Sequence, residues 1–454
     1  MTKYKLMDHQ IYTLEAMEAN EGLGLFLSMG LGKTAIALTY IYKHLKRGDA
    51  RDALVVCPAS LVASWEQAIE DMIKFEGFDS HAVKLLKERV TIRSFQKMYR
   101  TEMVYVGIRN GKKKYKRIWH IRDDIDKRWS IFVVDEAHQC SAHDGAQYNV
   151  ATTLAKLSSR RYLLTGTPVH GGKGRSAYDK LFGEVQIMTA GQEFRTWTEF
   201  CNKAVLAWDD WHKPAAFNEN FCRKLMEDHA IVLRVEDCMD MPDKLEQDVP
   251  CALVEKTIYN DLKTGKVDKY GIDITNAGAQ YTKMLQVCSG SMKISDTKTM
   301  MLKTSKDDAL GDILNGTDEP VVVFCNYRAS IDHAAKVAKN AKRKVVVYDG
   351  RSKTETWKDF QSGKADCIVC QYQSGGSGLN LQRAHIMCLY EPCFSSLLLT
   401  QAQARIYRKG QEHTCQYYYL STPSTLEAKV FKMVRKGIDV NDKLLEQLAR
   451  GESL

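Results

Sequence analysis

The chain has 454 residues, 44% of them hydrophobic, and a formal net charge of +9 from 65 Lys and Arg against 56 Asp and Glu. That length allows two or three domains with ample core, and the mild basic excess permits a nucleic-acid partner without demanding one. The opening MTKYKLMDHQ has no apolar signal core, and no run reaches membrane-spanning length, which argues against a membrane or secreted class. The thirteen cysteines are scattered, and unpaired thiols in that number suit a reducing compartment, with the cytoplasm as default. The close pair Cys367 and Cys370 reads as part of a buried strand, because no second pair completes a zinc site.

From the N-terminus, Leu25-Phe26-Leu27 reads as the end of a strand and Ala35-Ile36-Ala37-Leu38 as the beginning of a helix. Between them stands Met29-Gly30-Leu31-Gly32-Lys33-Thr34. Strand, glycine loop and helix make a phosphate cradle: backbone N–H groups close on oxygen and the helix N-terminus adds a favourable dipole. Lys33 then reaches the β/γ-phosphates and the Thr34 hydroxyl ligates Mg²⁺. The strict pattern has glycine where Leu27 stands, so an ordinary glycine turn before a helix stays open as the alternative.

Leu54–Cys57 is the next apolar run. Val104-Tyr105-Val106 and Ile118-Trp119 then flank Arg109-Asn110-Gly111-Lys112-Lys113-Lys114-Tyr115-Lys116-Arg117, in which six of nine residues are basic. Asn-Gly between such runs predicts a β-hairpin. Lys112, Lys113 and Lys114 are candidates for contact with nucleic acid, against the alternative of a surface hairpin kept soluble by its lysines.

The apolar run Ile131–Val134 ends in Asp135-Glu136-Ala137-His138. A carboxylate at such a strand end can hold Mg²⁺, and Glu136 beside it can deprotonate an attacking water; the alternative is an ordinary acidic strand end. Tyr162–Thr165 is a further strand. From about 183 to 300 the pattern turns helical with charged faces, and Trp197, Trp208 and Trp211 read as the core of an insertion. Four more apolar runs follow: Val321–Cys325, Lys344–Tyr348, Cys367–Cys370 and Ile386–Tyr390.

Short apolar β-branched runs alternating with amphipathic stretches predict an α/β chain with doubly wound parallel sheets. The expected layout is an N-terminal lobe over 1–182, a mainly helical insertion and linker over 183–300, and a C-terminal lobe over 301–454. Near the end, Gln401-Ala402-Gln403-Ala404-Arg405-Ile406-Tyr407-Arg408-Lys409-Gly410-Gln411 spaces two arginines three apart, which on a helix puts both on one face. A guanidinium from a second lobe could complete a γ-phosphate site; a solvated basic helix is the alternative.

With these residues in view, the chain resembles the Swi/Snf-type DNA translocases of helicase superfamily 2, in a compact bacterial or phage-like form, over almost its whole length. MGLGKT matches motif I, and Val55-Val56-Cys57-Pro58-Ala59-Ser60-Leu61 followed by Trp65-Glu66 matches motif Ia. Thr91-Ile92-Arg93-Ser94-Phe95 resembles motif Ib, DEAH at 135–138 is motif II, and Leu164-Thr165-Gly166-Thr167-Pro168 is motif III. Leu233–Asp237 with Met241-Pro242-Asp243-Lys244 resembles the inter-lobe signature. Val322–Asn326, Tyr348-Asp349-Gly350, Gly375–Leu381 and Gln401–Gln411 match the second-lobe motifs, and Thr425-Leu426-Glu427 the start of a closing brace helix. The chain departs from the family at Leu27-Ser28, Val169–Gly172, Glu391 (usually Asp) and Phe394 (usually Trp).

The resemblance implies two RecA-like lobes and an ATP- and Mg²⁺-dependent motor. Lys33, Asp135, Glu136, Arg405 and Arg408 would be its catalytic groups, with Thr34 and Asp135 as metal ligands. Gln10, Met29, Gly30, Leu31, Gly32, Lys33, Thr34, Gly378 and Gln401 would contact nucleotide, with Gln10 reading the adenine. His138 and Thr165 would couple hydrolysis to lobe movement. Pro58, Ser60, Ser94, Asn326, Ser374 and Gly375 occupy the DNA-facing motif positions, which implies sequence-independent, salt-sensitive grip on the phosphate backbone.

The expected activity is ATP-dependent translocation on duplex or branched DNA, with branch migration or fork reversal as the favoured task. The expected protein is a monomer, off the membrane, working beside replication, recombination or repair proteins, and nuclear if the source is eukaryotic. A strand-separating DNA or RNA helicase is the alternative enzyme, and a non-catalytic DNA-binding recruitment module the alternative outside enzymes.

Overall fold

A computed structural model describes residues 3–109, 112–143, 145–166, 178, 180–208, 212, 214–272, 277–295, 297–352, 356–375 and 379–450. They fall into two compact units that divide between Met239 and Asp240, inside the segment expected as insertion and linker. No helix among the described residues is long and apolar enough to cross a membrane.

The first unit contains β1 (Gly22–Leu27), β2 (Ala53–Cys57), β3 (Val90–Ser94), β4 (Tyr99–Arg109), β5 (Lys112–Ile121), β6 (Trp129–Asp135), β7 (Ser158–Thr165), β8 (Val205–Trp208), β9 (Pro214–Phe217) and β10 (Ala230–Leu233). Six of these form one sheet in the order β10-β1-β7-β6-β2-β3, and every pairing is parallel. Its central strands are buried on both faces. Phe26, Leu54, Val56, Phe132, Val134 and Leu163 belong to one large apolar cluster, while Leu25, Val55, Val133 and Leu164 are equally inaccessible on the other side. Helices on both faces explain why these strands read as unbroken apolar runs.

Residues 181–233 fold back onto this unit. Phe194, Phe200, Phe217 and Leu225 enter its core, and β10 adds the edge strand beside β1. Trp197 stacks on His143 with ring centroids 4.1 Å apart and packs on Phe200, the core role expected of it. Trp208 is half exposed instead, and Trp211 lies outside the described residues.

The second unit holds β11 (Lys244–Pro250), β12 (Ser291–Lys293), β13 (Thr299–Met301), β14 (Val321–Cys325), β15 (Val345–Tyr348), β16 (Cys367–Gln371), β17 (Ile386–Leu389) and β18 (Cys415–Ser421). A second parallel sheet runs β11-β18-β17-β14-β16-β15. All seven apolar runs expected as strands lie in the two sheets. The expected closing helix is Leu426–Arg435. Its Glu427 forms a fully buried ion pair at 2.6 Å with Lys306, whose ammonium also donates to the Tyr390 carbonyl at 2.7 Å. That pair ties the helices Lys306–Asn315 and Leu426–Arg435 to the end of β17.

The basic hairpin exists as expected. β4 and β5 pair antiparallel from Tyr99↔Ile121 to Arg109↔Lys112, with a bulge between Tyr105 and Gly107. The Asn110-Gly111 turn lies outside the described residues. One expectation needs correcting. The helix that leads into the arginine pair is Ser396–Gln403, so Arg405 and Arg408 sit in the turn beyond it rather than on a shared helical face. The chain leaves the helix because its backbone is recruited elsewhere: the Arg405 carbonyl accepts from the Leu381 N–H at 3.1 Å.

Candidate nucleotide and nucleic-acid site

A parallel sheet gathers the ends of its strands, and ligands bind beyond their carboxyl ends. Most first-unit candidates stand there. Met29–Thr34 follows β1, Pro58 and Ser60 follow β2, Ser94 ends β3, Asp135 ends β6 and Thr165 ends β7. Strand order then sorts them. β1, β7 and β6 are neighbours and carry the phosphate and carboxylate groups; β2 and β3 lie to one side and carry the small polar groups.

The loop after β1 is built for close approach. Gly30 and Gly32 take φ of 90° and 81°, a left-handed conformation that costs glycine nothing. A Cβ at Gly32 would fall 2.2 Å from Gln10 Nε2, so side-chain bulk is excluded there as well. The helix Lys33–Arg47 starts immediately after and closes at Gly48, whose left-handed turn lets its N–H reach the His44 carbonyl at 3.1 Å. The Lys33 ammonium is folded over the loop and donates to the Leu27 carbonyl at 2.7 Å.

Gln10 belongs to the helix Asp8–Ala19. Its Oε1 accepts from the Met7 N–H at 3.0 Å, and its Nε2 donates to the Leu31 carbonyl at 3.2 Å. Its amide thus binds the N-terminal helix to the phosphate loop. The helix is anchored behind it by Tyr162, whose hydroxyl donates to the Met17 carbonyl at 2.8 Å.

Asp135 is almost fully buried. Trp65 Nε1 donates to its Oδ2 at 2.8 Å, and the Glu136 N–H donates to its Oδ1 at 3.0 Å. Burial pushes its carboxyl above the ordinary range, opposed by the Trp65 hydrogen bond and the positive charge of Lys33. A divalent cation held by Asp135 and the Thr34 hydroxyl would offset that penalty, so these residues fit the Mg²⁺ that the motifs imply. Glu136 sits at φ 52° and ψ 49°, a left-handed conformation unusual for a residue with a side chain and typical of functional sites. It lies 3.4 Å from His138 Nδ1, which is itself 3.4 Å from the Thr165 hydroxyl. Carboxylate and hydroxyl therefore meet at one imidazole nitrogen, between the end of β6 and the end of β7. Gly166 belongs to the same cluster, since a Cβ there would meet Met29 at 3.2 Å and Lys33 Nζ at 3.5 Å.

On the other side of the sheet Cys57 and Ser94 are paired in register. Ser60 is exposed beyond β2, while Pro58 and Ser94 are buried. Lys112, Lys113 and Lys114 lie on β5, outside this sheet.

In the second unit Asn326 and Ser374–Gly375 follow the neighbouring strands β14 and β16. Gln373 Nε2 donates to Asn326 Oδ1 at 3.3 Å. Glu391 organises this edge. Its Oε1 accepts from the Asn326 and Tyr327 N–H groups, both at 2.8 Å, and its Oε2 from the Ser330 hydroxyl at 2.6 Å. It thus caps the helix Arg328–Asn340, a task to which the residue type is incidental so long as a carboxylate reaches. Arg405 and Arg408 converge without a common helix: each donates to the Leu379 carbonyl at 3.1 Å. Arg405 Nε also donates to the Gln401 carbonyl at 3.0 Å. Gly378 lies outside the described residues.

Sequence reasoning did not assign roles to Trp65, Gln373 or Leu379. Trp65 is 70 positions from Asp135 and reads as one more core residue of an amphipathic helix. Its place in a motif was the only available signal.

Residues 9–305 match the SNF2-related domain, and residues 305–410 match the helicase conserved C-terminal domain. The chain is 22% identical to the uncharacterized ATP-dependent helicase YqhH of Bacillus subtilis, over 92% of this chain and 75% of that protein. It is 23% identical to the DNA repair and recombination protein RAD54-like of Gallus gallus, covering 89% of this chain but 61% of that protein. Among solved structures, the Sulfolobus solfataricus SWI2/SNF2 ATPase core in complex with dsDNA aligns with 99% of this chain and 94% of its own, at 18% identity and a TM-score of 0.41. With the family model spanning well over half its length, the chain belongs to the SNF2-related family.

Proposed function

We propose that the protein is an ATP-driven motor that moves along duplex DNA and remodels branched structures. The observation that carries this reading is the meeting of Glu136 and Thr165 at His138 Nδ1, between the ends of β6 and β7 and near the Gly30–Lys33 loop at the end of β1. It links a group suited to activating water with a neighbouring strand end, which is what conversion of hydrolysis into movement needs. The relatives' names, an ATP-dependent helicase and a DNA repair and recombination protein, support the same class.

In this reading the backbone N–H groups of 30–34 and the Lys33 ammonium bind the phosphates of ATP, and Thr34 and Asp135 hold Mg²⁺. When bound, the ion neutralises charge on the transferring phosphoryl group. Glu136 accepts a proton from the attacking water at its carboxylate, and His138 relays the loss of that charge to Thr165. Arg405 and Arg408 exchange the Leu379 carbonyl for phosphate oxygens during the cycle, Arg408 being the preferred finger. Pro58, Ser60, Ser94, Asn326, Ser374 and Gly375 hold the DNA backbone, which carries no sequence information.

Branch migration or fork reversal is the task we assign, performed by a monomer in the company of replication, recombination or repair proteins. Displacement of a triplex-forming strand from a blunt duplex measures translocation without strand separation. The protein should displace it with ATP, and Glu136→Gln should not. Efficient unwinding of a simple tailed duplex with no triplex displacement would favour the strand-separating alternative.

A further inference from the structure

The hairpin β4–β5 stands outside both six-stranded sheets as a two-stranded sheet of its own. Its base is anchored, since Tyr99 and Ile121 pack against the first unit's core and the Arg122 N–H donates to the Met98 carbonyl at 3.0 Å. Beyond the base its described residues are largely exposed. Cross-strand neighbours share a face of an antiparallel pair, and the register Met103↔Arg117 and Tyr105↔Tyr115 continues to Thr101↔Trp119. One face therefore carries Met103, Tyr105, Tyr115, Arg117 and Trp119. Met103, Tyr105, Tyr115 and Trp119 are 56%, 50%, 48% and 38% exposed, a large apolar area left to solvent on one element. Tyr105 and Tyr115 stand edge to face with centroids 5.8 Å apart.

Charge is concentrated on the same element. Residues 99–121 contain seven Lys and Arg against one Glu, so +6 of the chain's formal +9 falls in these 23 residues. Aromatic faces that accept any base, set in strong positive charge, are the two parts of a site for unpaired nucleic acid. A closed duplex offers phosphates but no base faces, so the rings would be wasted on it; an acidic protein surface would use the lysines but not the exposed π-faces. We propose that this hairpin binds the single-stranded DNA exposed at a fork or junction, its bases stacking on Tyr105, Tyr115 and Trp119 and its phosphates neutralised by the basic residues. This rests on the DNA-motor reading and specifies the structure the motor engages.

Anisotropy titration of the full chain with a labelled single-stranded oligonucleotide and with a blunt duplex tests it, beside duplex-stimulated ATPase. The triple variant Tyr105→Ala, Tyr115→Ala, Trp119→Ala should weaken single-strand binding at least tenfold. Its duplex affinity and duplex-stimulated ATPase should stay within about twofold of the parent. The triple Phe variant, which keeps the rings, should retain single-strand binding, and that separates stacking from damage to the hairpin. Single-strand affinity unchanged in the Ala variant, or lost equally with duplex affinity, overturns the proposal. Should duplex fail to stimulate the parent's ATPase while the aromatic variants still separate as expected, the motor reading fails and the binding site stands.

Discussion

Asp135, a proposed metal ligand, shows how much of a carboxylate's character is set by burial and by the groups around it. Its carboxyl is raised by burial and held back by Trp65 and Lys33, and a carboxylate that must be ionised to hold a cation becomes limiting as pH falls. Trp65→Phe keeps the packing and removes one hydrogen bond to the charged form, so the carboxyl rises further. The acid limb of the ATPase–pH profile should therefore move to higher pH, with the rate at alkaline pH little changed; an unmoved limb would show that Trp65 only packs. Glu136→Gln removes the proposed base and should cut turnover by about 10²-fold or more, while nucleotide binding persists by equilibrium titration. Gly32→Ala places a methyl 2.2 Å from Gln10 Nε2 at φ 81°; nucleotide affinity should fall sharply in the same titration.

Among the elements, those that support the site are held by buried polar bonds as much as by apolar contact. Removing one partner from a fully buried ion pair costs about 3–5 kcal/mol, because the other charge stays behind. Lys306→Ala should lower the second unit's denaturation free energy by roughly that amount, and Lys306→Met with Glu427→Leu should recover much of it. His333 gives the same unit a pH signature. A hydrogen bond that its Nδ1–H donates to Asp307 Oδ2 at 3.0 Å raises the imidazole above its ordinary 6.5. The folded state then binds that proton more tightly than the unfolded chain, so its contribution is complete below 6.5 and is lost as pH rises through the raised value. Asp307 is held below the usual carboxylate range; burial works against this, but His333 and Tyr390 outweigh it. Its own contribution is therefore lost at acid pH. The melting temperature should fall between pH 6 and pH 8, and His333→Asn should flatten that slope.

The elements also mark where sequence was informative. Strands buried on both faces, such as β2, β6, β14 and β16, were legible because nothing but apolar residues can stand there. β11, with sequence KLEQDVP, is a largely exposed edge strand whose charges protect it from pairing further, and it carries no apolar signal at all. β18 alternates burial along CQYYYLS, and β10 directly follows the charged helix Glu219–His229 in a segment that reads as helical. The arginine pair was found by its spacing but assigned to a helix, because spacing cannot show that the Arg405 carbonyl is already engaged by Leu381. Trp65 and Leu379 escaped for a related reason. What they do depends on a partner distant in sequence, and only the fold supplies that partner.

For the whole molecule, two six-stranded parallel sheets each gather the carboxyl ends of their strands, and in the first the strand order alone sets the proposed nucleotide groups apart from the proposed nucleic-acid groups. The family membership fixes the class of machine; its track is the part that remains a proposal. Steady-state ATPase with blunt duplex, fork, four-way junction, single-stranded DNA and RNA as competing stimulators addresses the track directly. Duplex-containing DNA should stimulate hydrolysis, with fork and junction at least equal to blunt duplex and RNA without effect. Stimulation by RNA alone would contradict the account.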